Sequence, residues 1–172
     1  MLTYTSNNYF MEQNKDTSHD KQLVYSFFRE HPLATLSTVA KDGTPQNAVV
    51  YVYMDVDMSC YLVTREHTRK YENTANNKIA VLSAYDENLL MFGELCCEAE
   101  TVTSKEEAAK VLIELQKIIS SRKSAYWVAP VAQLEGENFV FLKLKPKKVT
   151  FVNYEKSTSD EPKPHKVSFE IE

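Results

Sequence analysis

The residues best placed to do chemistry lie in one run, Val63-Thr64-Arg65-Glu66-His67-Thr68-Arg69-Lys70, where an alternating apolar segment gives way to a short helical one. Thr68 is of the type that caps a helix N-terminus, and the helix it would open begins with two cations, Arg69 and Lys70. Cations in a first turn oppose the helix dipole, which favours Asp or Glu there by about 0.3–1 kcal/mol. A phosphate dianion would reverse that penalty, because free backbone N–H groups, a threonine hydroxyl and two cations would converge on it. Two cations facing solvent on a short helix are the ordinary alternative, and spacing does not choose between the two. No glycine-rich loop occurs, so nucleotide binding of the P-loop or dinucleotide kind is unsupported.

Other polar candidates read as structural. His31, before Pro32, is a helix-terminating residue rather than a base, and His67 is a loop histidine that could touch a ligand at the phosphate run but is more simply exposed. His19 and His165 lie near the ends, and no His–Cys or His–carboxylate set has metal-ligand spacing. Cys60, Cys96 and Cys97 form an odd, partly adjacent set, which is a poor disulfide framework. Cys96 and Cys97 must point to opposite faces of a regular strand and read as small buried hydrophobes. Tyr51, Tyr53, Tyr61, Tyr71, Tyr126 and Trp127 give aromatic weight that suits girdle and interface positions better than ligand stacking. With no evident acid, base or nucleophile, an enzyme built from this chain would rely on a cofactor.

The elements that must position the run follow from periodicity. A helix from Ser18 carries Leu23, Val24, Phe27 and Phe28 on one face and stops at His31-Pro32. LATLSTVA (33–40), a turn at Lys41-Asp42-Gly43, QNAVVYVYM (46–54), a turn at 55–57 and MSCYLVT (58–64) read as a three-stranded meander. A short helix over 68–77, a strand over 78–84 and a long strand over 89–102, bent near Gly93, come next. Ser104 and Glu107 form a capping box on the strongest helix, with Ala108, Val111, Leu112, Leu115 and Ile119 along its buried stripe. Strands over 138–145 and 147–154 are separated by Pro146, and 156–166 is a polar tail. The pattern divides the chain into a flexible arm (1–17), one domain (18–154) and a C-terminal tail (155–172). About seven strands joined mostly by hairpins, against two full helices and a short one, predict a mainly antiparallel sheet curled into a barrel with helices outside.

Composition bounds the partners. The 172 residues, 43% hydrophobic, are enough for one core without disulfides or a structural metal. Twenty basic against 24 acidic residues give a net charge of -4, which disfavours a general nucleic-acid binder. No apolar run approaches the roughly 18 residues of a membrane span, and the first residues lack the basic and apolar regions of a secretory signal. A reducing cytoplasm is the expected location.

From residue 33 to 83, LATLSTVAKDGTPQNAVVYVYMDVDMSCYLVTREHTRKYENTANNKIAVLS resembles the FMN-binding split barrels, the pyridoxamine 5'-phosphate oxidase-like proteins, and within them the general stress protein 26-like group. The strand, DG turn, strand, short turn, strand ending in Thr, Thr-Arg-Lys step and Asn-Asn before the next strand carry the likeness, which extends through LKPKKVTFVNY near 154. The resemblance implies a split β-barrel (antiparallel, Greek-key-like), a homodimer, FMN at the dimer interface and a small-molecule electron donor or acceptor. It matches Arg69 and Lys70 to the cations on the FMN phosphate, Thr68 to the hydroxyl beside them, and Val63-Thr64 to the strand end along the ribityl chain. It matches Val49, Val50 and Tyr51 to the strand whose backbone borders the isoalloxazine ring, and gives Trp127 a place near the flavin. The true oxidases carry arginine where this chain has Ala48 and lysine where it has Tyr53, and they end in a Trp- and Arg-containing segment that this chain lacks. The implied protein is an FMN-binding oxidoreductase of unknown substrate that does not oxidise pyridoxine phosphate. A barrel binding F420 or haem, or a non-catalytic flavin-binding protein, are the alternatives.

Overall fold

Thr17–Glu30 winds into helix α1, whose apolar stripe buries Val24, Phe27 and Phe28. The computed structural model describes residues 17–121, 138–155 and 164–171. Pro32 ends the helix as predicted: the His31 N–H donates to Phe27 O, and the His31 ring nitrogens face Phe27 O at 2.8 Å and Asp86 Oδ2. Both ring positions meet acceptors, so the side chain ties the helix end to a strand rather than serving a reaction.

The hairpin β1 (Leu33–Val39) and β2 (Pro45–Tyr51) turns at Gly43, whose φ of +87° suits glycine. The predicted meander ends there. The 46–54 run divides at Val52, whose N–H makes the last bond in the β1–β2 register, to Pro32 O, and Tyr53–Met54 becomes a separate short strand, β3. β3 pairs with β4 (Cys60–Arg65) over two residues on one side, and the whole of β4 pairs with β7 (Phe139–Asn153) on the other. After β4 come α2 (Arg69–Asn76), β5 (Ile79–Asp86), β6 (Met91–Thr101) and α3 (Lys105–Ser121). The sheet order is β2-β1-β5-β6-β7-β4-β3, antiparallel throughout. Its two end strands are joined through the single residue Val52, so the sheet must curl round on itself. The result is the expected mainly β architecture, a split barrel with helices outside.

Two late strands predicted apart are one. Pro146 lies within β7 beside a register shift, where Cys96 pairs with Lys148 and Cys97 with Pro146. A bulge is where a strand tolerates proline. On its free side β7 pairs with β4 before this point and with β8 (His165–Glu170) after it. β8 lies in the segment read as a tail; its period-two residues Val167 and Phe169 pack on the core. Inside the curl sit Leu36, Leu62, Leu82, Leu95, Leu142, Leu144, Val149 and Phe151, all buried. A second cluster, Tyr53, Tyr61, Val111 and Leu115, holds α3 against the outside of β3 and β4. The capping box is half made: the Glu107 N–H donates to Ser104 Oγ, while the Glu107 carboxylate accepts from Tyr61 and Lys143 instead.

Gly93 is explained by packing rather than by a bend. A Cβ there would lie 2.8 Å from Phe27 Cε1 and 2.9 Å from Phe28 Cε2, so α1 rests directly on the backbone of β6. Overpacking of this kind costs about 1–3 kcal/mol, and Gly93→Ala is expected to lower the thermal midpoint by several degrees in a melting experiment.

Candidate functional site

β4 delivers the phosphate run to the mouth of the curled sheet. Among the described residues β2 is an end strand of the sheet, and β4 beyond Tyr61 has a partner only on its β7 side. Two unpaired strand edges therefore flank an opening, and the chain leaving β4 turns into α2 beside it. His67 takes a left-handed φ of 64° in that turn. Thr68 stands at the N-cap position with extended backbone angles, yet its hydroxyl makes no cap. Its proton goes to Arg65 O at 2.9 Å, and Thr64 donates to its oxygen at 3.0 Å. A capping hydroxyl accepts from first-turn N–H groups through its oxygen; the Thr68 oxygen accepts from none of them, so they are left without this side-chain cap.

α2 is held over the hairpin by Asn73, which is buried and donates to Thr38 of β1 and Gln46 of β2. This seats Thr68, Arg69 and Lys70 against Thr38, Gln46, Asn47 and Ala48, enclosing a pocket of about 280 Å³. Arg69 is exposed and Lys70 half-buried. Burial pushes the Lys70 ammonium below the usual lysine range, with no carboxylate acting in the other direction. Among the described residues neither cation has a hydrogen-bond or ion-pair partner. The pocket offers two cations, the Thr38 hydroxyl, carboxamides and uncapped backbone N–H groups, a donor set that fits a phosphate.

Of the residues expected at the site, Thr68, Arg69 and Lys70 line this pocket, and Thr64 is buried directly beneath Thr68. Val63 points the other way, into the cluster under α3. Val50 faces the core, Val49 is exposed on the outer face of β2, and Tyr51 is half-buried on that same face. What these three bring to the opening is the β2 backbone edge. Trp127 and Tyr126 lie outside the described residues. Thr38, Gln46 and Asn73 were missed; the signal was a polar residue at inward positions of otherwise apolar strands, and an asparagine inside a short helix.

The charged groups under α3 are engaged. Tyr53 donates to Asp55, which pairs with Lys110 at 2.6 Å; Tyr61 donates to Glu107, which Lys143 also bonds. Hydrogen bonding from Tyr61 leads in holding the Glu107 carboxyl below the usual carboxylate range. Burial pushes the Cys60 and Cys97 thiols well up, which makes them unreactive. Among the described residues no group of His, Cys, Asp or Glu could hold a metal, and no helix is long and apolar enough to cross a membrane.

The profile of a family described as pyridoxamine 5'-phosphate oxidase matches residues 21–153. Among solved structures, the chain is similar to a heme binding protein from Mycobacterium smegmatis (16% identity, TM-score 0.65), covering 87% of this chain and 57% of that one. It is similar to general stress protein 26 from Bacillus anthracis (17% identity, TM-score 0.62; 88% of this chain, 99% of that one) and to an F420 reductase (22%, 0.55; 73% and 94%). At these identities the likeness is one of fold. No curated protein sequence matches.

A lysine depressed by burial binds its proton less well folded than unfolded, so between its folded value and the free value stability rises with pH, and at neutral pH its charge opposes folding. Lys70→Gln is therefore expected to leave the thermal midpoint of the ligand-free protein equal or higher. A fall of several degrees in calorimetry would instead make Lys70 part of the fold.

Proposed function

The chain belongs to the pyridoxamine 5'-phosphate oxidase family, and from that premise we propose that the opening between β2 and β4 binds FMN and that the protein is an FMN-dependent oxidoreductase acting on a small molecule. The observation that carries this reading is the pair Arg69 and Lys70, without anionic partners, at an uncapped helix start. In a folded protein such an arrangement is stable at a loss unless an anion completes it. Arg69, Lys70 and the first-turn N–H groups of α2 behind Thr68 hold the phosphate; Val63 and Thr64 border the ribityl chain through the end of β4; the β2 segment Val49, Val50 and Tyr51 borders the ring. When bound, the flavin supplies reversible hydride and electron transfer, and the chain supplies orientation and shelter from water.

The substrate is not a second phosphate ester gripped as the oxidases grip theirs. Ala48, at the pocket wall, carries no charge. Tyr53 is buried with its ring stacked on Tyr61 and its hydroxyl on Asp55, away from the opening. The fold is shared with a heme binding protein and an F420 reductase, and the absorption spectrum of purified protein, with the mass of the extracted cofactor, separates these readings. NAD(P)H turnover separates an enzyme from a flavin-binding protein without catalysis.

The outward face of β2, β1 and β5 supports a twofold homodimer. Val49, Tyr85, Ile79 and Leu33 are 64, 58, 56 and 45% exposed on it, and apolar patches beyond a few hundred Å² mark interfaces. Sedimentation at micromolar concentration is expected to give a dimer; a monomer that still held FMN tightly would contradict it.

A charge-assisted hydrogen bond contributes about 1.5–3 kcal/mol, so Arg69→Ala is expected to weaken FMN binding about ten- to a hundredfold by fluorescence titration. Riboflavin binding and the melting temperature should change little. Undiminished FMN affinity would refute the phosphate site.

A further inference from the structure

Asn73 lies on α2 one turn beyond Arg69 and Lys70 and is 6% exposed. Its Nδ2 donates to two acceptors on two strands, Thr38 Oγ1 at 2.9 Å and Gln46 Oε1 at 3.2 Å. An amide nitrogen carries two hydrogens, and both are committed here. Thr38 and Gln46 are cross-strand partners, and both line the pocket that holds Arg69 and Lys70.

The direction of these bonds decides what the pocket can offer. Gln46 accepts through Oε1, so its –NH₂ group remains to donate. Thr38 accepts on its oxygen, so its O–H proton remains to donate. Neither of these hydrogens is taken by another protein group among the described residues. The lining also contains Arg69 and Lys70, which only donate, and no carboxylate. Asn47 is the one lining amide that Asn73 does not orient.

We propose that Asn73 is a positioning residue for phosphate selectivity: it fixes Thr38 and Gln46 as donors, so that the pocket takes an acceptor-only phosphate monoester dianion in preference to a hydroxyl. This rests on the FMN reading of the same pocket. FMN and riboflavin differ by that one group, which makes the pair of ligands a direct measure of the effect.

Asn73→Asp keeps the shape of the side chain and reverses its polarity. A carboxylate only accepts, so Thr38 must turn its proton toward position 73 and Gln46 must swing its –NH₂ there, presenting oxygen to the ligand. Gln46→Glu reaches the same end from the edge strand, keeping the oxygen that Asn73 bonds and replacing the outward donor by an acceptor. It touches only a half-buried side chain, so it tests the idea even where Asn73→Asp fails to fold.

The experiment titrates full-length, flavin-stripped protein with FMN and with riboflavin, following flavin fluorescence. The expected result is that the preference for FMN falls about tenfold or more in each folded variant, while riboflavin affinity stays within about threefold. Losses that are equal for the two flavins mark a merely structural role and overturn the proposal, as does an unchanged preference. A wild-type chain that binds no FMN overturns the FMN reading and this proposal together, whereas FMN binding with an unaltered preference in the variants overturns the role of Asn73 alone.

Discussion

The break at Val52 is the constraint on which the rest depends. β2 and β3 are neighbours in sequence and occupy opposite ends of the strand order. With only Val52 between them, the sheet has to bring its ends together, and the buried leucines inside the curl make that closure favourable. Closure stops short because β3 pairs with β4 over only two residues. Beyond that point no ladder joins the edges of β2 and β4 among the described residues, and the opening between them is a direct result of where the ladder ends.

α2 and α3 answer that geometry in opposite ways. α3 covers a finished surface: Tyr61 and Lys143 meet Glu107, and Lys110 meets Asp55, so the helix is latched to β3, β4 and β7 by satisfied pairs over an apolar cluster. α2 is attached from beneath by Asn73 and brings cations to a wall that has no acid to meet them. Its eight residues are too few to stand as a helix alone, so the contact with β1 and β2 is what maintains it. The helix therefore persists because the hairpin holds it, and its first turn is left free for another task.

Local signals were legible in the sequence, and partnerships between distant segments were not. Pro32, Gly43 and Ser104 each act within a few residues, and each set an element boundary within the expected precision. The break at Val52 was hidden because QNAVVYVYM is apolar on both sides of it, and periodicity does not report a change of partner. Pro146 read as a separator because proline interrupts a ladder, but a bulge opposite Cys96 and Cys97 absorbs it. β8 was overlooked because its alternation, KVSFEI, is short and follows a polar stretch; it becomes a strand only because β7 extends far enough to receive it. At the site, Arg69 and Lys70 were visible because their charge conflicts with the helix dipole, and Thr68 because it is a capping type. The conflict of Thr38 and Gln46 with an apolar alternation was equally present, and only the structure joins them through Asn73.

The contrast between satisfied and unsatisfied charge separates scaffold from site more surely than charge density does. The cluster under α3 is richer in ionisable groups than the pocket at α2, yet each of Asp55, Glu107, Lys110 and Lys143 is answered within the chain. Interactions that are complete in the folded protein stabilise it and leave nothing for a ligand to gain. At the pocket the balance is reversed: Lys70 has lost part of its water to burial and has received no counter-charge, and the helix start above it lacks its cap. Those deficits oppose folding and are tolerated because the curled sheet supplies the surplus. An anion that removed them would be bound with the free energy the fold left unused at that point, which is why the proposed binding site lies where the sheet fails to close.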